Sequence, residues 1–415
     1  MPDDARPGPE RPNTGALAGM RIVDLTTVIM GPLATRQLGD HGAEVIRIES
    51  LEGDTTRNSP PSRHPGMSAT TMNLHRNKRS VALDLKHPDG LRAASAIVAS
   101  ADAVVTNMRR AALDRLGLGP AALRAAHPGL VVCVANGYGS DGPYADRPAY
   151  DDAIQAASGS AWLMGRLLGE PRYLPTIVAD KVVGMAVAQA VLVALIHKLR
   201  TGEGQLVEVP MFETMVAFNL VEHQRGATFE PPLGPVGHER VLSPTRTPYR
   251  TADGWIGVLP YTDRHWRDVF LAAGRPDLAE DPRFAGFNNR LANIDEAYRL
   301  LEELCAERTT AEWLAELEAR SVPAMAVLDL ERVDEDPHLR AVGLLELVEH
   351  PSEGPYRHVR DTATLDRSPS GLFRFAPRVG EHTSEVLSEI GWSTSEIGSL
   401  LAAGAGRQAP DATDR

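Results

Sequence analysis

Asp180 stands immediately before KVVGMAVAQAVLVALIHKL, a run that is apolar on nearly every face and therefore reads as a helix buried on most sides. An aspartate there is expected to be the N-cap, its carboxylate accepting backbone N–H bonds. The helix dipole favours the ionised form, and an ionised carboxylate can attack an acyl carbon. Tyr150 and Asp151, in RPAYDDAIQAASG, stand where the spacing of Ile154, Ala157 and Ala161 predicts another helix starting near Asp151 or Asp152. On pattern alone Tyr150 is a partly buried residue at that helix start.

A second chemical feature is local charge. The chain has a formal net charge of −12, which argues against nucleic-acid or membrane-surface partners, because those are bound through basic faces. Between Arg76 and Arg115, however, eight Lys or Arg (76, 78, 79, 86, 92, 109, 110, 115) face four Asp (84, 89, 102, 114). Such an excess can receive an anionic ligand, although half of these residues fit an ordinary charged surface.

Other motifs point away from common chemistries. Ser140 in GYGSDGPY has Tyr138 where a nucleophile elbow needs glycine, so it reads as a turn. The histidines show no HxxxH or HExxH arrangement, and Cys133 and Cys305 form no cluster, so no metal is expected. The first strand, helix and second strand followed by Glu49 imitate a dinucleotide-binding unit, which would make the chain an NAD-dependent oxidoreductase. Only Gly31 stands in the first turn, where GxGxxG is needed, so NAD binding is disfavoured.

The elements that must position these residues alternate. MRIVDLTTV (20–28), EVIRIES (44–50), SVALDL (80–85), DAVVTN (102–107) and LVVCVAN (130–136) read as strands. LATRQLGDHGA and GLRAASAIVAS read as helices between them. This predicts a parallel sheet with helices on its faces. Residues 226–250 are rich in Pro and Gly and read as an irregular linker. The strand DGWIGVLP follows, and then mostly helix to about 330. The 415-residue length suits two domains. No apolar run is taken as a transmembrane helix and no signal peptide is read, so a soluble, cytoplasmic protein is expected.

Six blocks in order resemble the class III CoA-transferases, the family of formyl-CoA transferase, carnitine CoA-transferase and the α-methylacyl-CoA racemases. They are LAGMRIVDLT with GPLATRQLGDHGAEVIRIE, NKRSVALDLKHPDG, ADAVVTNMRRAALDRLGLG, GYGSDGPYADRPAYDDAIQAASG, the Asp180 helix, and HKLRTGEGQLVEVPMFE. The resemblance implies that Asp180 is the nucleophile and Tyr150 its active-site companion, thirty residues apart as in the family. It implies coenzyme A, as a thioester substrate and product, beside Val28, Pro32, Leu83, Lys86, Asn107 and Arg115. An acyl-CoA donor and a free carboxylic acid acceptor are the expected partners.

The same resemblance implies an α/β fold with a large Rossmann-like domain, its parallel sheet built from both chain ends, a smaller α+β domain, and an interlocked homodimer. The expected segments are a disordered start (1–17), the large domain (18–227), the small domain (228–330), a return to the large domain (331–403) and a disordered tail (404–415). Ile29, Thr70 and Ser50 replace a glutamine, a tyrosine and an arginine of formyl-CoA transferase, and LSPTRTP (242–248) replaces its Gly-rich loop. Formyl or oxalyl transfer is therefore not expected. A racemase or epimerase is the alternative within the family, but its members carry histidine at Tyr150, and a phenol with an ordinary pKa of ~10 is a poor base at neutral pH.

Overall fold

The computed structural model describes residues 13–410. These divide into two compact units: residues 13–158, 174–218 and 337–410 form the first, and residues 159–173 and 219–336 the second. The small unit is thus larger than the expected 228–330 and takes in the helix Ser160–Leu168, which no sequence pattern sets apart from its neighbours.

The first unit is built on seven strands: β1 (Arg21–Leu25), β2 (Glu44–Glu49), β3 (Lys78–Leu83), β4 (Ala103–Thr106), β5 (Val131–Val134), β6 (Leu206–Glu208) and β12 (Gly406–Arg407). Their order across the sheet is β12-β3-β2-β1-β4-β5-β6, and every pairing is parallel except that of β12 with β3. Both faces are covered, so the strands alternate between two cores. Ile22, Val45, Val105 and Val131 point to one core, and Val23, Ile46, Val104 and Val132 to the other. α1 (Met30–Asp40) and α5 (Val178–Thr201) cover the first face. α2 (Pro88–Ala99), α6 (Thr383–Glu389) and α7 (Thr394–Ala402) cover the second.

β12 corrects the expectation of a disordered tail from residue 404. Gly406 pairs with Leu83 and Arg407 with Ala82, and the Arg407 guanidinium donates to the Leu51 carbonyl at 2.8 Å. At the other end Asn13 donates to the Gly42 carbonyl and Leu17 to that of His41, so residues 13–17 are also tied down. The rest of both expected disordered segments, 1–12 and 411–415, lies outside the described residues.

α5 corrects two further expectations. Its 24 residues are long and apolar enough to cross a membrane by length and composition, a test that the core helix of a soluble protein also passes. It is also buried on one face only: Val183, Gly184, Val187, Val191 and Leu195 are inside, while Met185, Val193, Ile196 and Leu199 are 51–66% exposed.

The second unit carries a three-stranded antiparallel sheet of β7 (Tyr249–Arg250), β8 (Trp255–Val258) and β9 (Ala324–Ala326). Helices Asp263–Ala272, Ile294–Cys305 and Thr310–Ala319 enclose a core with Trp266, Phe270, Tyr298 and Trp313. In the first unit, β10 (Leu345–His350) and β11 (Gly354–Val359) form a separate hairpin.

Candidate active site

In an open parallel sheet, ligands bind beyond the carboxyl ends of the strands where the strand order reverses. Here that point lies between β1 and β4, since the chain runs from β1 outward through β2 and β3 before returning to β4. A cavity of 360 Å³ opens there. Val28 and Ile29 line it from the end of β1, Asn107, Arg109 and Arg110 from the end of β4, and Asn136 from the end of β5. The loop that follows β5 adds Arg147 and Tyr150, and α5 adds Asp180.

The β1–α1 turn is held by an unusual amount of buried polar structure. Val28 has φ 69°, a left-handed conformation that is costly for a β-branched residue and persists only where surroundings enforce it. Its N–H donates to Asp54 Oδ2 at 2.9 Å, and the same oxygen accepts from Arg47 Nη2 at 2.7 Å. Arg47 also reaches Asp24, which in turn accepts from Lys78 Nζ at 2.9 Å. Burial pushes the Asp24 carboxyl up, but Lys78 and Arg47 outweigh it and hold the group well below the usual carboxylate range. Asn107 completes the clamp, accepting from the Thr27 N–H and donating to the Thr27 carbonyl, both at 2.9 Å.

Two glycines let the helices close on this turn. A Cβ on Gly31 would lie 2.3 Å from the Thr26 side chain, and one on Gly184 would lie 2.7 Å from the Met30 carbonyl oxygen. Gly184 is one turn beyond Asp180 on α5, so the close approach of α5 to the start of α1 is what delivers Asp180 to the cavity.

Asp180 is not the N-cap. α5 begins at Val178 with Ile177 as its cap, and Asp180 is the third helical residue, with a carboxylate that makes no capping bond. Its residue exposure is 9%, and burial, reinforced by the charge of Asp151, raises its carboxyl to about 6. Removal from water thus has a larger effect on this group than the helix dipole, although a carboxyl at about 6 is still ionised at neutral pH, as expected. Tyr150 is the N-cap of α4 (Asp151–Ala157) and is 69% exposed, not partly buried, with no capping bond from its side chain.

Of the residues implied by the resemblance, Val28, Asn107, Tyr150 and Asp180 line this one cavity. Pro32 is buried in the first turn of α1, its carbonyl accepting from Lys78, and Leu83 is 1% exposed in the sheet core. Lys86 follows β3 and Arg115 ends α3 (Arg110–Arg115); both are exposed, and neither lines the cavity. The basic segment splits in half. Arg76, Lys78, Arg79 and Arg92 form ion pairs with Asp40, Asp24, Glu44 and Asp89, while Lys86, Arg109, Arg110 and Arg115 have no carboxylate partner among the described residues. Arg109, Arg110 and Arg147 are thus cavity residues that the sequence reading missed. For the first two, their place in the basic segment was the available signal. Ser140 is a turn residue as read, its hydroxyl donating to Glu208 at 2.9 Å.

The profile of CoA-transferase family III matches residues 17–383. The chain belongs to that family. It is 31% identical to the succinyl-CoA--L-malate CoA-transferase beta subunit of Chloroflexus aurantiacus, covering 90% of this chain and 94% of the relative. Identity is also 31% to the succinate--glutarate CoA-transferase of Agrobacterium fabrum, over 90% and 95%. Among solved structures, a CAIB/BAIF family protein from Brucella suis superposes with a TM-score of 0.76 at 30% identity, covering 91% of this chain and 99% of that one. The chain is a CoA-transferase, and the cavity is its candidate active site.

Proposed function

We propose that this CoA-transferase moves CoA from an acyl-CoA donor to a free carboxylic acid, with Asp180 as the nucleophile. The observation that carries the reading is the meeting of Asp180 and Tyr150 in one cavity at the sheet's switch point, with Arg109 and Arg110 on its wall. Unpaired guanidinium groups suit the phosphates of CoA, and exposed Lys86 and Arg115 lie on the same basic segment. The apolar contributions of Val28, Ile29 and Met108 suit a pantetheine arm and acyl chain.

In the first step an Asp180 oxygen bonds to the donor's acyl carbon, and the C–S bond breaks to leave an aspartyl mixed anhydride and CoA thiolate. The thiolate then attacks the aspartyl carbonyl, giving an aspartyl-CoA thioester and releasing the donor acid. The acceptor carboxylate attacks that thioester in turn, and the thiolate released collects the acceptor's acyl group, which regenerates Asp180. A carboxyl raised to about 6 is ionised at neutral pH yet more basic than an ordinary aspartate, which favours attack. The exposed Tyr150 hydroxyl is a donor for the carbonyl oxygen as charge develops on it.

Both curated relatives carry succinate or succinyl-CoA in their names, so succinyl-CoA is the donor to test first. Incubating it with a panel of free acids and reading the CoA products by mass spectrometry tests the reading. A new acyl-CoA formed with matching loss of donor is expected, and Arg109→Ala should raise the KM for the donor about tenfold or more. Hydrolysis of the donor with no acid accepting CoA would contradict it. We also propose that two copies associate as a homodimer, because Met185, Val193, Ile196 and Leu199 leave an apolar face of α5 exposed to be covered.

A further inference from the structure

The Asp180 carboxylate has no capping bond, yet its backbone is tethered. Its N–H donates to Asp151 Oδ1 at 3.0 Å. The other Asp151 oxygen accepts from Gln155 Nε2 at 2.5 Å. Gln155, 1% exposed, also accepts from the Leu174 N–H at 2.9 Å and donates to the Thr176 carbonyl at 3.4 Å. One acid and one amide on α4 therefore hold both the nucleophile's own peptide group and the segment that leads into its helix. Asp151 directly follows Tyr150, so the same turn that presents the phenol to the cavity grips the nucleophile.

We propose that Asp151 is a positioning residue of the transfer reaction, fixing the Asp180 carboxylate against the thioester through this tether. The inference rests on Asp180 being the nucleophile. A hydrogen bond from an N–H to a carboxylate is about twice as strong as one to a neutral acceptor, so a neutral residue at 151 holds the tether less firmly. The arrangement also places a negative charge beside Asp180, which favours its protonated form. The other charged groups nearby are Lys181 on α5, whose Nζ is engaged by Thr176, and the cavity residues Arg109, Arg110, Asp146, Arg147 and Glu208. Asp151 is the charge that acts on Asp180 most directly.

The test compares Asp151→Ala, Asp151→Asn and the double variant Asp151→Asn/Gln155→Glu, with folding checked by circular dichroism. Asp151→Ala removes the tether, and its kcat should fall by about 10- to 100-fold with the donor KM within twofold of the parent. Asp151→Asn keeps an acceptor for the Asp180 N–H but turns a donor toward Gln155, so its loss should be smaller. Its acid limb of kcat against pH should move down by about half a unit to one unit, since a like charge has gone. The double variant exchanges donor and acceptor between the two side chains and should recover kcat relative to Asp151→Asn. A kcat within twofold of the parent in Asp151→Ala, or a rise in KM at unchanged kcat, overturns the inference. So does an acid limb that stays in place in Asp151→Asn, the variant that decides if Asp151→Ala does not fold. These results leave the nucleophile untouched, which Asp180→Ala tests separately: activity in that variant sinks the transfer mechanism itself.

Discussion

The ionised Asp180 carboxylate is held out of water at a cost to the fold. Its ordinary value is 3.8 and its folded value about 6, so the folded protein holds this proton more tightly than the unfolded chain does. Stability from this group is complete below the unfolded value, near pH 4, and is lost as pH rises through about 6. Asp180→Asn removes the loss. At pH 7.5 the variant should be more stable by up to about 3 kcal/mol, an advantage that vanishes at pH 4. Urea unfolding at the two pH values checks this; equal midpoints at pH 7.5 would mean that the carboxyl is not desolvated. Residues of this kind were legible in different degrees. Asp180 stood out by its place before an apolar helix, while its nucleophile role and Tyr150 came from the resemblance; the N-cap reading of Asp180 missed by three positions because nothing in TIVAD marks which residue starts the helix. Asp151 was not legible as a clamp, since its partner is a backbone N–H, which has no sequence signature.

At the scale of elements, the five strands and their helices were readable from alternation, because strands buried on both faces are continuous apolar runs. Boundaries drifted where polar residues are buried: β3 starts at Lys78, two residues earlier than expected, because the Lys78 ammonium is satisfied inside by Asp24, Thr35 and the Pro32 carbonyl. β12 was hidden because two residues of a Gly-rich tail carry no strand pattern, and its pairing comes from the backbone alone. The approach of α5 to α1 depends on one glycine. Gly184→Leu should push the helices apart, lower stability by about 1–3 kcal/mol and reduce kcat, because Asp180 moves with the helix. A denaturant melt and a transfer assay on the same preparation check this, and unchanged kcat would show that α5 does not need to be so close.

For the whole molecule, α5 is apolar all round although this chain buries only one side of it, and the proposed homodimer would cover the other. A helix of this pattern looks fully buried in sequence, since an apolar run does not record which of its faces is packed. Val193 and Ile196 lie on the uncovered face. Sedimentation velocity should find the parent as a dimer and Val193→Glu/Ile196→Glu as a monomer, because two carboxylates on that face cannot be desolvated without partners. A parent that sediments as a monomer removes the homodimer.

The proposed transfer depends on covalent acylation of Asp180. The most direct measurement incubates the enzyme with donor acyl-CoA, adds hydroxylamine, and maps the modified residue by mass spectrometry. A mixed anhydride or thioester on a side-chain carboxylate reacts readily with this nucleophile and a free carboxylate does not, so a hydroxamate at Asp180 is predicted, with none formed when donor is omitted. Asp180→Ala should form no hydroxamate and have no transfer activity while remaining folded. A hydroxamate at another residue, or transfer that persists in Asp180→Ala, would contradict the account.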